Sequence, residues 1–166
     1  LFLGSGSVIH ASKDEQDIRN MGGVWKKLPY TYILMIIGTL ALTGFPFLSG
    51  FYSKDAIIEF AFFKHSTVGN YATFIGIFTA FLTAIYSWRL IFKTFHGSYN
   101  NKNLSIEKTH ESPLIMLLPL IILSLGAIFA GYFFKEIFIG HYSNGFWKSS
   151  IFFLEEIKHD HIPLWL

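Results

Sequence analysis

The sequence contains no cysteine in 166 residues, and Asp, Glu, Lys and Arg together make up only 14% of it. The first absence excludes disulfides, thiolate metal sites and cysteine-ligated iron–sulfur clusters, so no electron carrier of that kind resides in the chain. The second leaves too little charge for a hidden soluble domain. Proline occurs five times, and Pro46 and Pro119 fall inside apolar runs where a regular helix would exclude them. The formal net charge of +2 is small, and no nucleic-acid partner is expected.

Apolar residues, by contrast, make up 52% of the chain and gather in runs of membrane-spanning length. These runs predict an all-α membrane protein, a polytopic helix bundle with the lipid bilayer as its first partner. Residues 1–11 are apolar, too short to span, and begin without methionine; they are expected to be the end of a truncated helix with His10 at the interface. Residues 12–29 form a polar loop whose Asp14, Glu15 and Asp17 are read as solvated charges rather than metal ligands. Residues 71–96 are expected to span, with the small residues Ala72, Gly76, Ala80 and Ala84 on one close-packing face. A polar loop over 97–112 follows, and Ser112 and Pro113 read as N-cap and first turn of a span over 113–135. Within it Pro119 predicts a kink, and Gly126, Ala127, Ala130 and Gly131 a second close-packing patch. Residues 136–166 mix aromatics with charge, as expected of an interfacial segment and the start of another helix; the triplet His159-Asp160-His161 lacks a fourth ligand and is weak evidence of a metal site.

The stretch over 30–65 departs from this pattern. A continuous helix from Thr31 to Phe63 would run roughly 50 Å, against the ~30 Å of a hydrocarbon core. Gly44, Pro46 and Gly50 predict two half-helices joined by an irregular piece, and irregular backbone at membrane depth persists only within protein or beside a wet cavity. A different reading lays Phe51 to Phe63 flat on the membrane surface. At about 100° per residue, however, Ser53, Lys54, Asp55 and Glu59 interleave with Ile57, Ile58, Ala61 and Phe62 around the whole circumference, whereas a surface helix separates its faces. The second half-helix is therefore expected to be enclosed, with Lys54 too far from Phe63 to snorkel. An intramembrane lysine is a functional candidate by default: burial disfavours its charge, neighbouring carboxylates such as Asp55 or Glu59 favour it, and a residue poised between the two gains and loses a proton. Arg89 lies about two turns inside Phe95 and is read either as snorkelling beside Tyr86 and Trp88 or as a member of the same charge set.

Basic residues gather at one side: Lys13, Arg19, Lys26 and Lys27 in the first loop, then Arg89, Lys93, Lys102 and Lys108 at and after a helix end, against Lys64 and Lys135 opposite. The positive-inside rule places the first side in the cytoplasm or matrix, so the broken helix runs outward.

Five strings in order, GSVIHA, EQDIRNMGG, GFPFLSGFYSKD, YSWRLIFKTFHG and HESP, resemble the antiporter-like subunits of proton-pumping NADH:quinone oxidoreductase, respiratory complex I. The resemblance covers nearly the whole chain and is least specific beyond Lys135. It implies an inverted-repeat helix bundle in which each repeat carries a discontinuous helix with a buried lysine or glutamate; here the break maps onto Gly44 to Gly50 and the lysine onto Lys54. Asp55 and Arg89 match residue types usual in the family, and Glu59 is a further candidate. No cofactor is expected on this chain; NADH, flavin, iron–sulfur clusters and quinone are implied in partner subunits, both membrane and hydrophilic. The family's first repeat, later helices and lateral helix have no counterpart here, so a fragment is expected. The motif wording points to a bacterial inner membrane, with the mitochondrial inner membrane the other location. Two further readings are a subunit of a multisubunit cation/proton antiporter and a structural membrane anchor.

Overall fold

The computed structural model describes residues 1–63, 66–98, 109–138, 143–148 and 150. In chain order these form α1 (Phe2–Ala11), a 3₁₀ turn (Val24–Lys26), α2 (Pro29–Thr43), α3 (Ser49–Phe63), α4 (Thr67–Phe95), α5 (Leu114–Phe138) and the short α6 (Ser143–Trp147). There is no strand among the described residues. The 151–166 tail with His159, Asp160 and His161, and the cations Lys64, Lys102 and Lys108, lie outside them.

Local chemistry explains the boundaries. Pro29 opens α2, where its missing N–H costs nothing. Gly44 ends it in the left-handed region at φ 81°, which a glycine adopts without a Cβ penalty. Ser66 caps α4, its hydroxyl accepting from the Gly69 N–H at 3.0 Å. Of the described helices, α4 with 29 residues and α5 with 25 are long and apolar enough to cross a bilayer; α2 is apolar but shorter. α5 continues through Pro119.

The packed core lies at one end of the bundle, where α1, the 3₁₀ turn, the start of α2 and the end of α4 meet. Val8, Val24, Leu28, Met35, Ile91 and Phe95 are buried there. Tyr32 tilts against Phe95 with ring centroids 5.1 Å apart, and its hydroxyl bonds His96 Nε2 at 2.9 Å. A polar knot sits beside this core. Ser7 and Ser112 join α1 to the start of α5, and Ser7 Oγ lies 3.3 Å from Thr31 Oγ1 on α2. The Ser112 hydroxyl bonds both the hydroxyl and the carbonyl of Ser7, so it ties two segments together in place of the helix-capping role expected of it.

Elsewhere α4 and α5 present large apolar side chains outward, among them Phe74, Phe81, Ile85, Ile115, Ile122 and Phe133. Contiguous apolar surface of this kind on long helices belongs against lipid or other helices. The protein is an integral membrane protein.

Candidate functional site

The break between α2 and α3 is built from carbonyls that the end of α2 cannot satisfy internally. Gly44 N–H reaches the Ala41 carbonyl at 3.3 Å and Phe45 N–H the Leu40 carbonyl at 3.0 Å, a glycine-capped helix end. The next carbonyl, Leu42, accepts from the Lys54 ammonium, which returns from the second turn of α3. A cation there also meets the negative end of the α2 dipole, a placement worth about 0.3–1 kcal/mol at a surface and up to about 2 when partly buried. The Lys54 stem lies over Gly44: a Cβ added at Gly44 would sit 3.7 Å from Lys54 Cδ.

Between the two helices the chain turns tightly, with Leu48 N–H on the Phe45 carbonyl at 3.2 Å and Phe47 at φ 72°, unusual for a bulky residue. Pro46 contributes no donor to this turn. Gly50 plays a different part from the one expected. It belongs to the first helical turn of α3 rather than to an unwound piece, and a Cβ on it would lie 1.8 Å from the Ala41 oxygen. The two helices therefore overlap side by side, backbone against backbone, instead of meeting end to end.

The contact with α4 gives the level of this break along that helix. Ile58 packs on Gly76, whose added Cβ would stand 3.3 Å from it. Lys54 precedes Ile58 by one turn, and α4 runs antiparallel to α3, so Lys54 comes level with the neighbourhood of Ala80. Thr67–Phe95 has its midpoint at Phe81, which puts Lys54 at mid-depth of a helix long enough to cross the bilayer. Gly76 thus serves the close packing expected of its stripe. In the second expected patch, Gly131 does the same against Ser49 and Tyr52, whereas Gly126 faces open space.

Lys54 is half-buried within this chain, not enclosed. Asp55 lies on an exposed position and Glu59 on a half-buried one. Spaced by three and four residues, Tyr52, Asp55 and Glu59 share one face of α3. On that side the Lys135 ammonium of α5 stands 5.3 Å from the centroid of the Tyr52 ring. Asp55 lies within electrostatic reach of both Glu59 and Lys135. Arg89 is exposed on α4 and makes no ion pair among the described residues. About nine residues, roughly 13 Å of helix, separate it from the level of Ala80, so it is not brought to Lys54.

One residue with an evident role had no assignment from sequence. Glu111, in the HESP string, accepts from the Tyr30 N–H at 3.0 Å with one oxygen and from the Thr31 hydroxyl and the Ser112 N–H with the other. It caps α2 from 80 residues away. The only local signal was an acidic residue beside a serine and a proline, which points to the helix that follows rather than to α2. His10 and His110 are exposed, and the His110 ring lies 3.2 Å from the Glu111 carbonyl.

A family profile described as NADH:quinone oxidoreductase/Mrp antiporter, TM, matches residues 1–83, which hold the break, Lys54 and Gly76. The chain belongs to this family. Among its relatives is NADH-ubiquinone oxidoreductase chain 5 of Marchantia polymorpha, 49% identical over 154 residues, covering 93% of this chain and 23% of that protein. The chain 5 of Phytophthora infestans is 51% identical over 152 residues, 92% of this chain and 23% of its own length. That of Chondrus crispus is 46% identical over 175 residues, 99% and 26% respectively. The chain thus spans about a quarter of the length of these relatives. The similarity extends past the profile through the residues of α4 and α5.

Proposed function

We propose that this chain is part of a proton-translocating membrane subunit of NADH:quinone oxidoreductase, with Lys54 as the group that takes up and releases the proton. The observation that carries this reading is the Lys54 ammonium on the orphan Leu42 carbonyl, at mid-depth of α4. There α2 and α3 act as one discontinuous crossing. Unpaired backbone groups at its break hold the charged lysine and leave hydrogen-bonding sites for water, as in other transport proteins with interrupted helices. A proton on Lys54 favours the Leu42 contact, and its loss removes one donor from the break. The amine then turns from a carbonyl-bound cation into a neutral acceptor for the next proton.

Energy enters from outside the chain. Moving one charge against the membrane potential costs about 2.3 kcal/mol per 100 mV. In this reading it comes from electron transfer between NADH and quinone in partner subunits, where the flavin and iron–sulfur clusters belong. The names and eukaryotic origins of the relatives support this assignment and favour the mitochondrial inner membrane over a bacterial one.

The family description also includes the Mrp antiporters, which supports a second reading as a cation/proton antiporter subunit. The two are separated by the driving reaction. With the full-length subunit in its native membrane, NADH addition to sealed vesicles should move protons and a protonophore should abolish the gradient. Proton movement driven by an imposed Na⁺ gradient but indifferent to NADH would replace the first reading with the second.

A further inference from the structure

Lys135 stands at the end of the span expected from sequence over 113–135; in the structure it belongs to the last full turn of α5 and leans on the second half-helix. Two contacts one turn apart fix this geometry. The Gly131 backbone sits so close to α3 that a Cβ would lie 2.6 Å from both the Ser49 Cα and the Tyr52 ring. Four residues later on the same side of α5, Lys135 places its ammonium 5.3 Å from the Tyr52 ring centroid. Tyr52 begins the α3 face that continues through Asp55 and Glu59. A crevice of about 440 Å³, lined by Tyr52, Tyr132, Phe133, Lys135 and Glu136, opens beside it.

Lys54 points the other way, back to Leu42. The second half-helix therefore carries two polar fronts, one holding Lys54 against the end of α2 and one that seats Tyr52 against the end of α5 and continues through Asp55 and Glu59. Side chains at 52, 55 and 59 climb away from the break, towards the connection between α3 and α4. Two carboxylates one turn apart repel each other when both are ionised, and a cation on the neighbouring helix relieves that repulsion.

We propose that Lys135 is a positioning residue for proton release: its positive charge, seated over Tyr52 on the same α3 face, holds the Asp55–Glu59 face in its working arrangement. The inference rests on the reading of Lys54 as the proton-carrying group. It assigns Lys135 no proton of its own, so a permanently charged side chain should replace it.

The test uses the full-length subunit assembled in its complex, with protons moved per NADH oxidised measured in sealed vesicles for Lys135→Gln, Lys135→Arg and Lys54→Met. The proposal expects Lys135→Gln to lower the proton yield as far as Lys54→Met does and Lys135→Arg to restore most of the loss. A structural role for the lysine stem alone would leave Gln close to wild type, and that result overturns the proposal. So does a failure of Arg to restore the yield. Should Lys135→Gln fail to assemble, the double variant with Asp55→Asn removes the charge imbalance; assembly restored by it supports the proposal, and assembly not restored overturns it. Loss of yield in Lys54→Met with a wild-type yield in Lys135→Gln defeats only the present inference. An unchanged yield in Lys54→Met defeats the underlying reading as well.

Discussion

Lys54 gains its properties from one acceptor, the Leu42 carbonyl, and from the glycine that lets its stem pass. Gly44 and Gly50 flank this arrangement for different physical reasons, so their substitutions should differ. At Gly44 there is room for a methyl group but the backbone has φ 81°, so Gly44→Ala should cost about 1 kcal/mol through strain alone. At Gly50 the methyl would collide with the Ala41 backbone, which cannot swing aside as a flexible side chain does. Gly50→Ala should cost at the upper end of the ~1–3 kcal/mol of an overpacked site, or more. Gly126→Ala, in open space on a helix, should be neutral or slightly stabilising. Thermal unfolding of the detergent-solubilised complex, followed for this subunit, checks the order Gly50, Gly44, Gly126. Equal effects at Gly50 and Gly126 would contradict the backbone contact. Sequence alone marked all three glycines. It could not separate them, because an unwound glycine and one needed for close approach look the same until the neighbouring helix is in place.

Among the elements, α2 is held at both ends by side chains remote in sequence, Glu111 at its start and Lys54 at its finish. A carboxylate on the first amides and an ammonium on the last carbonyls both complement the helix dipole. Glu111→Gln keeps an acceptor and loses the charge. It should cost about 0.5–2 kcal/mol, as helix caps do, and lower the unfolding temperature of the assembled subunit without abolishing assembly. No change in that temperature would show that the cap adds nothing. The 12–29 loop offers a pH test. The Arg19 side chain and backbone hydrogen-bond Asp17, and with the nearby charge they hold its carboxyl down to about 2. Since the folded value is depressed, this pair contributes stability in full above the ordinary carboxylate range and loses it as pH falls through about 2. A carboxyl-carbon NMR titration should show Asp17 still ionised at pH 3, and Arg19→Gln should move it back towards the ordinary value. The long helices α4 and α5 were legible because they are apolar over a span's length. The Glu111 cap was not, since its two halves are 80 residues apart and nothing in either names the other. Lys135 was legible at the end of its span, but its neighbour was not: only the seating of Gly131 on α3 shows that the ammonium lies over Tyr52.

For the molecule as a whole, the tight core lies at one end while the middle of the bundle presents apolar side chains outward. That surface calls for lipid and neighbouring helices, so the protein should remain in the membrane pellet after alkaline carbonate extraction; release into the supernatant would contradict a spanning bundle. The central claim concerns the lysine at the break. Lys54→Met and Lys54→Arg should be placed in the full-length subunit within its complex, and NADH oxidation and proton pumping measured together in sealed vesicles. The account predicts that Met abolishes pumping through this subunit while assembly is retained, and that Arg, which can occupy the Leu42 carbonyl but cannot release its proton, does not restore it. Proton yields equal to wild type in the assembled Met variant would contradict the account and leave the chain a structural membrane element.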